Sequence, residues 1–359
     1  MLSRRVRPRR ASFRRRIATI VVAAQIPAAI ALILAGGLWP LGLAVPVGLS
    51  AVFFRSFRGP FAVVPGRPAA RALLYLFFAW WVACVSFIVF SPLGLLIGWR
   101  AVAMAALAVG LLGIWPRPRV RRVRLAFPDL PPALVGITIA QLSDLHIGPF
   151  VSEAKIGSWV ERANGLDADL VCVTGDLIAS GMEGVPAVAR ALGGLRARRG
   201  VFACMGNHDY FGAGEPLVRA LEEAGLTVLR NEGQAFPDGL FVAGADDTWT
   251  DRADVTRAVR RRPDGAFTVL LAHDPKLFPT AAAHGVELTL SGHTHAGQLA
   301  LPFFEARFNL ARLVHRYSLG IYRDGKSLLY VNPGLGTTGP PVRIGARAEI
   351  TLFTLSRGE

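Results

Sequence analysis

Residues 289–298 read TLSGHTHAGQ, a segment that sets His293 and His295 one residue apart behind an apolar run. The same grammar, an apolar and often β-branched run ending in polar residues beside glycine, appears in VGITIAQLSDLHIG, ADLVCVTGDLI, GVFACMGNHDY and AFTVLLAHDP. The polar residues that end these five runs are Asp144, His146, Asp176, Asn207, His208, His273, His293 and His295, which use five of the seven histidines. Imidazole, carboxylate and a carboxamide oxygen without a thiolate suit hard to borderline divalent ions such as Mn, Fe, Zn or Co rather than a structural zinc knot. Eight candidates are too many for one ion. His284 and His315 lack the grammar and read as surface residues, while Cys172 and Cys204 sit inside apolar runs and read as buried core thiols.

Side chains so far apart in sequence need a scaffold that gathers them. Apolar runs of five to eight residues bounded by turn residues are what strands buried on both faces look like, and amphipathic stretches at 153–163, 215–223 and 252–260 separate several of them. This is an α/β arrangement. In open α/β sheets the carboxyl ends of the strands line a crevice where ligands bind, so the eight residues are expected to converge.

The N-terminal third is different in kind. Of the 359 residues 52% are hydrophobic and only 18% charged. Up to Arg124 there are eighteen basic residues and no acidic one, against 22 basic and 25 acidic in the remainder, so the net charge of +15 divides into +18 and −3. The excess positive charge flanks or interrupts apolar segments, which argues against nucleic acid as a partner. Residues 17–54 carry no charge over 38 positions, break at Gly36, Gly37 and Pro40, and read as a helical hairpin. A second uncharged run, 72–99, passes through Ser91-Pro92-Leu93-Gly94 and, after Arg100, continues to Trp115 as a second hairpin. Basic segments at the N-terminal tail, at Arg55, Arg58, Arg67 and Arg71, and at RPRVRRVR place all three on the cytoplasmic side by the positive-inside rule. That gives four spans in the cell membrane, both termini inside, and a cytosolic C-terminal domain. The spans contain no Asp, Glu, His or Lys, so they read as an anchor rather than a transport pathway.

Taken in order, SDLHIG, TGDLI, MGNHDY, LAHDP and SGHTHAGQ resemble the motif series of the calcineurin-like metallophosphoesterases, and YVNPGLGTTGPPVRIG resembles the tail of their bacterial membrane-attached branch, which includes UDP-diacylglucosamine pyrophosphatase-like enzymes. The resemblance implies an α/β fold with a central β-sandwich flanked by helices, preceded here by an all-α transmembrane region of about four helices. The expected division is a basic tail at 1–16, a membrane region at 17–115, a basic and proline-rich linker at 116–134, and a catalytic domain at 135–359. It also implies two divalent metal ions, with Asp144, His146, Asp176 and His295 on the first and Asp176, Asn207, His273 and His293 on the second. Asp176 bridges them. In an extended segment His293 and His295 point the same way, toward neighbouring ions. Two cations neutralise a phosphate ester's oxygens and activate a water. His208, oriented by Asp209, resembles the residue that delivers a proton to the leaving oxygen.

For the substrate, the apolar LALPFF directly after SGHTHAGQ suggests a greasy wall at Phe303 and Phe304, and Arg343 offers a fork of donors to a second phosphate. The expectation is hydrolysis of a phosphodiester or pyrophosphate in a lipid-linked substrate. The alternatives are a phosphomonoesterase or phosphoprotein phosphatase and, since no ligand position is lost, less readily a non-catalytic scaffold or sensor using the same fold.

Overall fold

The structure is a computed structural model, and it describes residues 19–27, 29–30, 39–56, 68–113 and 118–358. The basic tail 1–16, the Gly36 and Gly37 break, Arg58, Arg67 and residues 114–117 lie outside the described residues. The chain forms two compact units: Met1–Pro116 with Gly339–Ile344, and Arg117–Thr338 with Gly345–Glu359.

The first unit is helical: α1 (Trp39–Ser56), α2 (Pro68–Phe90) and α3 (Trp99–Gly113). Beyond α2 the chain stays helical through Ser91–Leu93 and Gly94–Ile97, so the reversal falls at Gly98 (φ +82°) and not at Ser91-Pro92-Leu93-Gly94. Proline at the first turn of a helix costs little, because the N–H it lacks has no partner there. Gly110 of α3 lets the backbones approach: a Cβ there would sit 2.3 Å from the Ala79 carbonyl oxygen of α2. Among the described residues, the 27-residue stretch Arg71–Ile97 is the one long and apolar enough to cross a membrane, and Ala44–Arg55 and Trp99–Gly113 are shorter apolar helices.

The second unit holds two six-stranded sheets. The first runs in the order β1 (Arg119–Ala126), β12 (Glu349–Ser356), β2 (Thr138–Leu142), β3 (Leu170–Thr174), β4 (Val201–Cys204) and β5 (Thr227–Val228). The second runs β10 (Gly320–Asp324), β11 (Ser327–Val331), β9 (Leu288–Ser291), β8 (Phe267–Leu271), β7 (Leu240–Gly244) and β6 (Glu232–Ala235). Strands β2 to β5 are parallel, as are β7, β8, β9 and β11; β12, β6 and β10 add antiparallel pairs.

Alternate residues of each strand point to opposite faces, and here both faces are covered. Ile139, Leu170, Cys172 and Phe202 of the first sheet share one apolar cluster with Val242, Val269, Leu288 and Tyr330 of the second. On the far side Ala140, Val171, Val173 and Ala203 pack on α4 (Glu153–Asn164), α5 (Val185–Leu192) and α6 (Gly214–Glu223). Phe241 and Leu270 pack on α7 (Val255–Val259) and α8 (Phe278–Ala283). This mixed α/β fold, two sheets flanked by helices, is the expected sandwich. Cys172 and Cys204 are free, buried thiols of its core. The amphipathic stretches at 153–163 and 215–223 are helices; that at 252–260 shortens to α7, because the Asp254 side chain accepts the Arg257 amide and caps it there.

One boundary changes. Residues 119–126, read as linker, form β1, paired along its length with β12. Leu125 is buried in the sandwich while Arg122 and Arg124 stay exposed, an alternation suited to an edge strand whose arginines discourage further pairing.

Candidate metal centre

The loops after β2 and β3 run side by side: the amides of Asp144, His146 and Ile147 donate to the carbonyls of Gly175, Asp176 and Leu177 at 3.0, 3.0 and 2.9 Å. This lays Asp144, His146 and Asp176 next to one another. Asn207 follows β4, His273 follows β8, and His293 and His295 follow β9. Two groups of ligand atoms result, each within 4.8 Å: Asp144, His146, Asp176 and His295, and Asp176, His273 and His293. Asp176 belongs to both.

Backbone conformation aims these side chains. Asp144, His146, Asp176, His293 and His295 all have positive φ, between 49° and 71°. Asp and His tolerate the left-handed region better than most residues, but each such position costs on the order of 1 kcal/mol or more. The extended geometry expected for 293–295 is therefore not what occurs. His293 (φ +71°) and His295 (φ +50°) flank a right-handed Thr294, and this tight turn sends their rings to different groups.

The donor sets fit cations. His146 Nε2 and His295 Nε2 face each other at 3.0 Å, with His295 Nε2 3.3 Å from Asp144 Oδ1 and His146 Nε2 3.6 Å from Asp176 Oδ2. In the second group His293 Nδ1 lies 3.3 Å from His273 Nε2, itself 3.2 Å from Asp176 Oδ2. The Asn207 Oδ1 is buried with no hydrogen-bond partner, the expense of a carboxamide oxygen held ready for an ion. Burial works against a proton on His273, but the Asp176 carboxylate outweighs it and raises the imidazole to about 10. That positive charge in turn holds Asp176 well below the ordinary carboxylate range against its own burial. Burial and the charge of His273 push His293 down to about 4. Such a packed set of acids and bases is what a pair of cations neutralises.

Second contacts fix the rings. His273 Nδ1 donates to the Thr174 carbonyl at 2.8 Å, which leaves Nε2 facing Asp176. His208 lies against His146, centroids 4.7 Å apart, with its amide on Asp176 Oδ1 at 2.9 Å. Its Nδ1 is 2.7 Å from the Ala179 carbonyl, so Ala179, not Asp209, supplies the orienting contact. The Asp209 oxygens instead accept the amides of Asp176, Leu177, Ile178 and Gly206 at 2.8 to 3.1 Å. Burial and the Asp176 carboxylate push Asp209 up to about 7, and the backbone donors pull the other way. Glycines let these loops close: a Cβ on Gly206 would lie 2.3 Å from Asp176 Oδ1. The C-terminal VNPGLGTT segment reaches the site, with the Gly336 amide on the Asp144 carbonyl at 2.7 Å and Thr338 Oγ1 3.1 Å from His146 Nε2.

Phe303 and Phe304 are 92% and 59% exposed. Arg343 belongs to the helical unit, where its amide donates to the Gly113 carbonyl at 2.8 Å. His315, read as a surface residue, lies edge-on to His293 with centroids 5.4 Å apart, and the exposed Trp249 stands 6.2 Å away on the same ring. Trp249 follows β7, whose GLFVAGADDTW carries the same strand-end signal as the five runs and could have been found by it. His315 has no such signal.

Comparison with known proteins agrees with this geometry. The family described as calcineurin-like phosphoesterase matches residues 137–297. A transmembrane protein with metallophosphoesterase domain from Danio rerio is 34% identical over 70% of this chain and 61% of its own length. An uncharacterized metallophosphoesterase of Helicobacter pylori is 32% identical over 67% of this chain and 64% of its own. Another, YkuE of Bacillus subtilis, is 34% identical over 63% of this chain and 81% of its own. The chain thus spans less than two thirds of the first two relatives.

Proposed function

This chain belongs to the calcineurin-like phosphoesterase family, and on that premise we propose a membrane-anchored, dinuclear phosphoesterase that cleaves a phosphodiester or pyrophosphate bond in a lipid-linked substrate. The observation that carries the hydrolase reading is the closure of two ligand groups on the shared Asp176 carboxylate, with the partnerless Asn207 Oδ1 beside it. Asp144, His146, Asp176 and His295 take the first ion, and Asp176, Asn207, His273 and His293 the second. Two divalent ions supply charge neutralisation at the phosphate and an activated water. The chain's own part is proton delivery and orientation. With Nδ1–H on the Ala179 carbonyl, His208 turns Nε2 toward proton transfer to the leaving oxygen. Asp209 keeps the 176–178 and 206 amides in place, and Trp249 and His315 meet the substrate beside His293.

Anchoring is supported by the Arg71–Ile97 helix and by the relative named as a transmembrane protein. The arginine distribution supports four spans within 17–115 of a cell membrane, with the termini and the catalytic domain in the cytosol. Exposed Phe303 and Phe304 suit an acyl chain. The test is turnover by the full chain with Mn on a model monoester, a model diester and a nucleotide-linked acylated sugar. Preference for the last two supports the reading. Faster monoester cleavage replaces it with a phosphatase, and equal rates on acylated and deacylated forms remove the lipid.

A further inference from the structure

The segment 299–316 follows the ligand-bearing turn directly, and its backbone is built rather than loose. Ala300 bridges Asn309, the Leu301 amide donates to the Phe308 carbonyl at 2.8 Å, and the Leu310 amide to the Leu299 carbonyl at 2.9 Å. The Asn309 side chain caps the turn Leu310–Leu313 by accepting the Arg312 amide at 3.1 Å, and its Nδ2 donates to the Glu305 carbonyl at 2.8 Å. On this fixed frame the large apolar side chains face outward. Phe303 is 92% exposed, Leu313 and Val314 each 79%, and Phe304, Phe308 and Leu301 all more than half. Scattered apolar residues on a surface are ordinary, but six in one short ordered segment mark a surface that something covers. Phe303 even adopts φ +69°, a left-handed conformation that an aromatic residue takes at a cost and that turns its ring away from the frame.

The charges select the cover. Arg307, Arg312 and Arg316 are exposed in the same segment, while its one acid, Glu305, is bonded to Arg119 at 3.2 Å. A second copy of the chain packed face to face on this surface would set these guanidinium groups against their own equivalents with no free carboxylate between them. An anionic bilayer meets both features: aromatic and branched side chains sit at the boundary of headgroups and acyl chains, and guanidinium groups pair with lipid phosphates. Under the reading above the chain is also anchored in a membrane, and five residues separate Gly113 of α3 from Arg119 of β1.

We infer that 299–316 is a bilayer-docking platform, with Phe303, Phe304, Leu313 and Val314 entering the interface and Arg307, Arg312 and Arg316 engaging anionic headgroups. Because Gln298 joins this platform to the turn carrying His293 and His295, docking brings the metal centre to the lipid surface. The inference rests on membrane anchoring but not on the substrate.

Hydrogen exchange on the full chain tests it, in nanodiscs of phosphatidylcholine alone and of phosphatidylcholine mixed with phosphatidylglycerol. The amides of 299–316 are expected to exchange about tenfold more slowly with the anionic lipid. Arg307→Gln with Arg312→Gln and Arg316→Gln, and separately Leu313→Ser with Val314→Ser, should abolish that difference while turnover of a soluble diester stays the same. Equal exchange in both discs overturns the inference. So does protection found only in discs holding two copies, which assigns the face to a dimer. Failure to cleave the soluble diester, with protection intact, counts against the hydrolase reading alone.

Discussion

In the proposed assignment Asp176 carries more of the chemistry than any other side chain: Oδ2 lies 3.6 Å from His146 and 3.2 Å from His273, and Oδ1 accepts the His208 amide. Asp176→Asn keeps the size but removes the charge that both ligand groups share, so metal content measured on the purified chain should fall for both ions together with activity. A variant holding two metals and turning over normally would refute the assignment. His208 makes the opposite forecast. Its ring is anchored on Ala179 and sits beside the groups rather than within them, so His208→Ala should retain two metals while kcat falls by roughly 10²- to 10⁴-fold. Loss of metal would make it a ligand.

At the scale of elements, much was legible because strands buried on both faces write themselves as unbroken apolar runs. SDLHIG, TGDLI, MGNHDY, LAHDP and SGHTHAGQ do end strands, and their polar residues do converge. What could not be read is how the chain turns there. Positive φ at five of the seven assigned ligands leaves no pattern beyond the residue types that tolerate it, so His293 and His295 looked extended. Ala179 acts through its carbonyl, which no side chain advertises, and β1 hid behind a basic stretch that its pairing with β12 reveals as a strand. Close approach between loops is equally silent in sequence and yields a forecast. Gly206→Ala places a methyl 2.3 Å from Asp176 Oδ1 and 2.5 Å from its amide nitrogen, so the β3 and β4 loops must part. Metal content should drop although no ligand has changed; a fully loaded Gly206→Ala protein would show that the loops yield.

For the whole molecule, the proposed orientation makes a forecast: a reporter fused after Glu359 should behave as cytosolic, and protease digestion of the C-terminal unit in intact cells would reverse that assignment. Each ligand group also draws on both sheets, with Asp144, His146, Asp176 and Asn207 at the ends of β2, β3 and β4, and His273, His293 and His295 at the ends of β8 and β9. Ions held by these residues would staple the two halves of the sandwich. An ion at 100 times its dissociation constant adds about 2.7 kcal/mol to the folded state, so chelation should lower Tm in the wild type and in His208→Ala alike. An unchanged Tm would mean that the sandwich holds without them. Inside a cell, that coupling would make the steady-state amount of the protein a gauge of metal supply: starved of cations, copies that open between the sheets would be cleared by proteolysis, and scarcity would register as missing protein as well as idle protein.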